Sequence, residues 1–443
     1  LLTSMSMKLI RKILFGAALV LSCNVVKAQE GAYSSYSPYS IFGVGDLTRQ
    51  GTAYSRSMGG IGIATRNNRH INIVNPAAVA ARDTLSFMLD FGVTADGRLY
   101  SQGDVKSAKN LFNISDFVFT VPIYRKSAFM AGITPFSSVG YDFSHDITDP
   151  KVLATTGNMN YRSYGEGDIY QVFAGAGATF WNKLSVGAQM IYYFGNIDKT
   201  TTMDFASSSY RDIYSGYILN LNAFGGKFGV QYDQALAPGL FLTVGATYRT
   251  SARLKGYVTD YKYATISSKS DTLKYNTDTL SRGRASKIAS EYGIGVALRR
   301  GDKWRLEFDY TRSDWSKSNL DNAVGFANKG ESTFSTTFSQ SFKAGFEIVP
   351  NRNDIRYYMR RCSYRVGAYY DRDYYKLNGH TVNSYGLTLG MTLPVFRWYN
   401  GISIGVDLGQ RGTKDNNMIR ERYAMLVVGF NIHDIWFQKP KYE

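Results

Sequence analysis

Between Ser290 and Ser316 the chain doubles back in a pattern that few folds satisfy. The first limb carries Tyr292, Ile294, Val296 and Leu298 at alternate positions, with Glu291, Gly293, Gly295, Ala297 and Arg299 between them. Arg300-Gly301-Asp302 supplies a turn. The return limb sets Trp304, Leu306, Phe308 and Tyr310 against Lys303, Arg305, Glu307, Asp309 and Thr311. Side chains of a strand point alternately to its two faces, so this is a hairpin with one oily and one charged face. A soluble sheet hides the oily face in a core. A membrane barrel turns it to lipid and the charged face to water.

The same alternation begins near Thr84, where Leu85, Phe87, Leu89, Phe91 and Val93 oppose Ser86, Met88, Asp90, Gly92 and Thr94, and it continues to Phe437. Fourteen runs follow: 84–94, 113–124, 127–142, 163–180, 183–195, 213–232, 240–255, 286–299, 303–314, 334–349, 361–371, 382–393, 401–410 and 421–437. Links between them alternate in length. Arg125-Lys126, Trp181-Asn182, 233–239 and 300–302 are short; 95–112, 143–162, 196–212, 256–285 and 315–333 are long and polar, while 350–360 is longer than a tight turn. Tight turns at one end and long loops at the other are what a transmembrane barrel shows. An even number of strands also leaves both chain ends on one side, the periplasmic one. The expected fold class is all-β: a transmembrane antiparallel barrel of about fourteen strands. Its final run, Tyr423–Phe437, ends Ile435-Trp436-Phe437, which suits closure against the first strand and recognition by barrel-assembly machinery; closure also removes exposed strand edges.

The remaining composition fits. Mean hydropathy is −0.24, which leaves no room for a bundle of membrane helices, whereas a barrel needs apolar residues only at alternate positions. Tyr alone counts 34, and tyrosine collects where one end of a side chain is apolar and the other wet. Lys8, Arg11 and Lys12 precede the apolar run Ile13–Val26, and Val26-Lys27-Ala28 offers small residues for cleavage, so residues 1–28 read as a signal peptide. The run is short for a membrane anchor. Val20-Leu21-Ser22-Cys23 only faintly matches a lipoprotein box. Cleavage at Ala28 removes four of the 51 basic residues and none of the 35 acids, leaving +12. That charge points to anionic lipid headgroups, with lipopolysaccharide and outer-membrane lipid as partners, rather than to nucleic acid. Only Cys362 then remains, which rules out an intramolecular disulfide.

Residues 29–82 break the pattern. Tyr33-Ser34-Ser35-Tyr36-Ser37-Pro38-Tyr39 is followed by Ser57-Met58-Gly59-Gly60-Ile61-Gly62 and Asn75-Pro76-Ala77. Glycines at this density let backbone pack closely or turn, and Asn-Pro marks a turn. The stretch reads either as a loose leader or as a segment folded inside the barrel. The second reading divides the chain into a signal peptide (1–28), leader and hatch (29–82), barrel (83–437) and a periplasmic tail (438–443).

The chain resembles the FadL/TodX family of outer-membrane channels for hydrophobic compounds. Met58-Gly59-Gly60 and Asn75-Pro76-Ala77 ahead of the first strand carry the resemblance. So do Phe228-Gly229-Val230-Gln231-Tyr232 with Val244-Gly245-Ala246-Thr247-Tyr248-Arg249, the stretch Phe308-Asp309-Tyr310-Thr311-Arg312-Ser313-Asp314-Trp315-Ser316, and Tyr364-Arg365-Val366-Gly367. The resemblance implies a luminal hatch (Ser57, Met58, Gly59, Gly60, Ile61, Asn75, Pro76, Ala77), an oily site within the barrel, and a kinked third strand opening sideways into lipid. Pro135-Phe136-Ser137 and Gly140, in the third run, are the candidates for that opening. Proline cannot donate to a ladder, so Pro135 marks a bulge or break, or simply ends the strand near the rim. The Tyr/Ser-rich leader and basic loops depart from the family pattern.

Motifs of catalysis are weak. Gly401-Ile402-Ser403-Ile404-Gly405 matches a hydrolase elbow but lies inside an alternating run, without the strand–turn–helix that exposes such a serine. His70, His145, His380 and His433 are scattered, and no Cys/His spacing suits a metal. Gly59-Gly60-Ile61-Gly62 lacks the lysine of a phosphate loop. Three Asp-Thr-Leu triplets, at 83–85, 271–273 and 278–280, resemble a glycosylation signal. The inner-face charges Asp90, Arg249, Glu291, Arg305, Glu307, Asp309, Glu347, Arg365 and Asp407 either hold the hatch in a wet lumen or, at Arg249 or Arg305, clamp a ligand carboxylate. The sequence therefore implies no enzyme, cofactor or metal. It implies an outer-membrane channel for passive uptake of a hydrophobic small molecule; the alternative is a barrel of the same plan serving as an accessory subunit of an outer-membrane assembly or secretion complex, with a protein partner.

Overall fold

The computed structural model describes residues 34–83, 86–207, 209–266, 269–280, 285–327, 333–395 and 400–435. The expected signal peptide, the first residues of the leader, Trp436-Phe437 and the expected tail lie outside them.

All fourteen runs are strands of one antiparallel barrel. They are β1 (Ser86–Gln102), β2 (Val105–Tyr124), β3 (Ser127–Asp146), β4 (Met159–Phe180), β5 (Leu184–Phe205), β6 (Asp212–Ala237) and β7 (Leu240–Arg249). The circuit continues with β8 (Glu291–Arg300), β9 (Trp304–Asp314), β10 (Phe338–Ile348), β11 (Ser363–Leu377), β12 (His380–Pro394), β13 (Gly401–Arg411) and β14 (Arg420–Ile435). Each pairs with its neighbours in sequence, and β14 closes on β1 from Ser86↔Ile435 to Ser101↔Arg420. Closure leaves the circuit without an outermost strand.

The founding hairpin shows how the faces sort. In β8 and β9, Val296 stands opposite Phe308 and Gly295 opposite Asp309. Ile294 and Phe308 are 61% and 55% exposed, whereas Glu307 and Asp309 are 0% and 5% exposed. The oily residues point outward and the acids inward, the inverse of a water-soluble sheet. Aromatics ring the outer face at both heights. Tyr248 stacks near Tyr292 and Tyr310 near Phe342 at one level, while Trp181, Tyr232 and Tyr124 are exposed at the other. Among the described residues no helix is long and apolar enough to cross a membrane.

The long links differ from expectation. Polar residues 95–112 are not a loop: they prolong β1 and β2, which meet at a two-residue turn, Gly103-Asp104. Residues 256–285 contain a second hairpin, Lys255–Ile266 with Lys269–Thr279, whose first strand also extends the ladder of β6. A paired ladder satisfies its own backbone, so it continues past the apolar band wherever the sequence keeps alternating. Residues 315–327 fold back instead, burying Trp315, Leu320 and Phe326 completely. At the short-turn end the link 349–362 carries a helical turn, Tyr358–Arg361, fixed by Asp354, which accepts from the amides of Arg356 and Tyr357.

Residues 34–83 fill the lumen. They comprise a 3-10 turn at Pro38–Ile41, a two-residue strand Asp46–Leu47, a helical turn Ala53–Arg56 and a second 3-10 turn at Pro76–Ala81. The plug is nearly all buried, and Val44, Met58, Ala64 and Asn75 have no exposed surface.

Candidate functional site

The charged inner face is the seat of the plug. Asp309 accepts from the amides of Gly62 and Ile63 at 2.7 and 2.9 Å. Glu307 takes the amide of Ala64 at 3.0 Å and the hydroxyl of Thr65 at 2.6 Å. Glu347 accepts from the Tyr54 hydroxyl at 2.6 Å, and Arg305 donates to the Arg66 carbonyl at 2.7 Å. Further round the wall, Arg49 of the plug lies 2.8 Å from Asp407 and 3.0 Å from Asp371, with its guanidinium 3.5 Å over the Tyr369 ring. A polar group buried without a partner costs several kcal/mol, so each carboxylate on the wall and each free amide in the plug needs the other. His70 stacks on Tyr54 at 4.1 Å; burial, with Arg365, Arg69 and Arg305 nearby, holds its pKa well below the usual imidazole value.

Of the residues singled out in the sequence, Ser57–Ile61 and Asn75–Ala77 sit on different arcs of the wall. Gly59 donates to Thr388 at 2.8 Å, and Met58 and Ile61 rest over Gly345. A Cβ on Gly367 would overlap the backbone of Met58 and Gly59. Asn75 caps the following turn through the Ala77 amide and donates to the carbonyls of Ile63 and Val230. Pro76 presses on Gly187, where a Cβ would strike it. Arg249 pairs with Glu291 at 3.3 Å and lies 5.5 Å from the Phe136 ring, so it neighbours the kink. Arg305 and Asp309 are both spent on the plug. Arg49, Tyr54 and the Asp46–Arg411 pair (2.8 Å) escaped the sequence reading. Two charges inside a Gly/Ser-rich stretch, Asp46 and Arg49, were the available signal: in a lumen they need wall partners of opposite sign.

The wall itself is split on one side. The β2–β3 ladder runs from Tyr124↔Ser127 to Phe117↔Ile133 and ends there. Beyond it β2 stays paired with β1, while β3 stays paired with β4 up to Asp146↔Asn160. Pro135 therefore does not end the strand. It introduces an irregularity, with Phe136 bulged out of register between Pro135↔Tyr170 and Ser137↔Ile169. Every residue from Phe136 to Tyr141 is buried, on both faces. A lipid-facing strand alternates; this one has left the wall and bent inward.

The lumen next to the bend is full. Tyr39, Ile41, Phe42 and Val44 join Phe136, Tyr193, Trp315 and Phe326 in one apolar cluster. Phe42 stacks on Phe334 at 5.4 Å, Gly43 donates to the Phe326 carbonyl at 3.1 Å, and Tyr374 donates to Gly45 at 2.9 Å. At the short-turn end a polar cleft of about 240 Å³ opens between Arg66, Asn67, Asp302, Arg305 and Arg352. Ser403 of the elbow-like motif lies mid-strand in β13, paired with the Thr392 hydroxyl at 2.7 Å. No group of His, Cys, Asp and Glu suited to a metal occurs among the described residues.

A plugged barrel of fourteen strands with an inward-bent third strand has relatives. Residues 9–443 match the model of the BamG family. The chain belongs to that family. No curated protein matches it. Among solved structures, the monoaromatic hydrocarbon channel CymD superposes with a TM-score of 0.58 at 14% identity, over 87% of this chain and 97% of that one. The toluene transporter TbuX of Ralstonia pickettii gives 0.55 at 15%, over 86% and 98%. A FadL homologue of Pseudomonas aeruginosa gives 0.54 at 12%, over 89% and 100%. At such identities the likeness is one of fold. The sequence resemblance to FadL/TodX proteins therefore holds for the architecture, while the matching family model is that of BamG. The fold is that of these plugged β-barrels, two of which are titled as a monoaromatic hydrocarbon channel and a toluene transporter.

Proposed function

We propose that the protein is an outer-membrane channel for passive uptake of a hydrophobic small molecule, fatty-acid-like or aromatic, with the plug as hatch and the split between β2 and β3 as side exit. The observation that carries this reading is the ladder abandoned above Phe117↔Ile133 in an otherwise closed wall. Backbone groups freed from a ladder at membrane depth must find other partners or cost several kcal/mol each, and a barrel that only spans lipid has no reason to break its sheet. CymD and TbuX, which share the fold, are named as a hydrocarbon channel and a toluene transporter. Burial of apolar ligand surface is worth about 25 cal/mol per Å², enough to hold such a molecule without a charged clamp. In this orientation the tight turns and both chain termini are periplasmic, residues 1–28 are removed on export, and Tyr423–Phe437 is read by the barrel-assembly machinery. Lipid and lipopolysaccharide surround the oily belt. The test is uptake of a fluorescent fatty acid by vesicles carrying the purified protein: removing residues 34–77 should raise the rate several-fold, and an unchanged rate would count against a hatch.

A second reading follows from the family match, which spans residues 9–443, and from a lumen filled by the chain's own leader. The barrel then serves as an accessory subunit of a barrel-assembly complex. Stoichiometric co-purification with other assembly proteins in mild detergent, combined with no uptake by any plug variant, is the outcome that favours it.

A further inference from the structure

The link between β10 and β11, residues 349–362, is longer than a turn needs to be, and it is held stiffly. Asn351 donates to the Arg360 carbonyl at 2.8 Å and closes the loop on itself. Val349 donates to the Lys303 carbonyl at 2.7 Å, and the Tyr358 hydroxyl to the Pro394 carbonyl at 2.9 Å, which ties both ends to the wall. A loop fixed this closely could tuck its apolar side chains away. Instead Ile355 is 95% exposed, with Tyr357 at 50% and Met359 at 46%, and Arg352, Arg356, Arg360 and Arg361 stand among them. Arg352 also lines the polar cleft at the barrel mouth, where five cations face three carboxylates. The carboxylates are already engaged. Asp302 holds Arg69 at 3.0 Å and Arg352 at 3.7 Å, Glu347 accepts from Tyr54, and Asp83 accepts from Asn68 at 3.0 Å. Two of the cations meet only neutral groups. Arg66 donates to the hydroxyls of Ser185 and Thr179, and Arg305 to the Tyr54 hydroxyl and the Arg66 carbonyl. Arg305 is 7% exposed, and its Nε has no partner. A guanidinium buried without a carboxylate is costly, so an incoming acid is favoured there.

We propose that this loop and the cleft beside it form a docking surface for an acidic polypeptide segment of a periplasmic partner. Carboxylates of the segment enter the cleft toward Arg66, Arg305 and Arg352, and its apolar side chains cover Ile355, Tyr357 and Met359. Charge complementarity selects the occupant. The cleft opens inside the mouth, between the plug residue Arg66 and the inner face of β9, so a headgroup of the surrounding leaflet does not reach it, whereas an extended chain does. Aromatic, Met and Arg side chains are also the types enriched at protein interfaces. This rests on the accessory-subunit reading above and names the surface that the partner takes.

The test uses the full chain in neutral detergent and a short fluorescein-labelled peptide of Glu, Leu and Gly, read by anisotropy. The peptide should bind with an affinity that falls as salt rises. Arg352→Glu with Arg356→Glu should weaken it about tenfold, and Ile355→Ser several-fold. Lys262→Glu with Lys274→Glu, the same change of charge on the hairpin at the other end of the barrel, should leave it unchanged. Heat-modifiable mobility on gels checks that each variant is a folded barrel. Equal loss in the two charge variants means unspecific attraction to a basic protein and overturns the surface. Displacement of the peptide by inorganic phosphate or by phosphatidylglycerol vesicles overturns it too, since the cleft then takes a small anion or a lipid. In cells, proteins that co-purify in stoichiometric amounts with the wild type should be lost from the Arg352→Glu, Arg356→Glu variant. Their full retention overturns the surface but leaves the accessory reading standing. Peptide binding with no co-purifying protein in any preparation ends the accessory reading and leaves the surface.

Discussion

Asp309 illustrates how much a single wall residue decides. It accepts two plug amides that have no water to turn to, so Asp309→Ala leaves both donors bare at a cost of roughly 1–3 kcal/mol each. The expected result is an intact barrel whose plug is cut faster by trypsin at Arg66 and Arg69, with Asp309→Asn, which keeps an acceptor, close to wild type. Volume acts as sharply as charge. Gly187→Leu would drive a side chain into Pro76 and expel the plug, whereas Ala188→Leu, one residue along β5 and facing lipid, should change neither plug digestion nor heat-modifiable mobility. Inner-face acids were legible in the sequence as a charged stripe. Their partners in the plug were not, because contacts such as Arg49–Asp407 join residues hundreds apart and leave no local periodicity.

Among the elements, β9 and β3 mark the two extremes of what alternation can tell. β9 is regular, and its two faces could be read directly from Trp304, Leu306, Phe308 and Tyr310. Nitroxides at Leu306 and Phe308 should be relaxed by oxygen dissolved in the bilayer, and one at Glu307 should not; equal relaxation at all three would remove the face assignment. In β3 the proline was visible but its consequence was open, since the same residue can end a strand or bend it. What decides is tertiary: β4 keeps pairing to Asp146 while β2 lets go at Phe117. Polar stretches such as 95–112 misled for a related reason, because alternation in polar residues beyond the membrane still builds ladder.

For the molecule as a whole, the fourteen strands, their order and their lipid-facing sides followed from a period of two and the sorting of turns. The break in the wall did not, since it depends on which partner each edge finds. A closed barrel with one deliberate seam, filled by the chain's own leader, is the claim on which transport and gating rest. Disulfide mapping across that seam tests it most directly. Phe119→Cys with Ala131→Cys, register partners below the break, should cross-link rapidly in native membranes. Asn113→Cys with Ser137→Cys, which would face each other only if the ladder continued, should not. Equal cross-linking of both pairs would mean an unbroken wall, and the side opening would be lost with it.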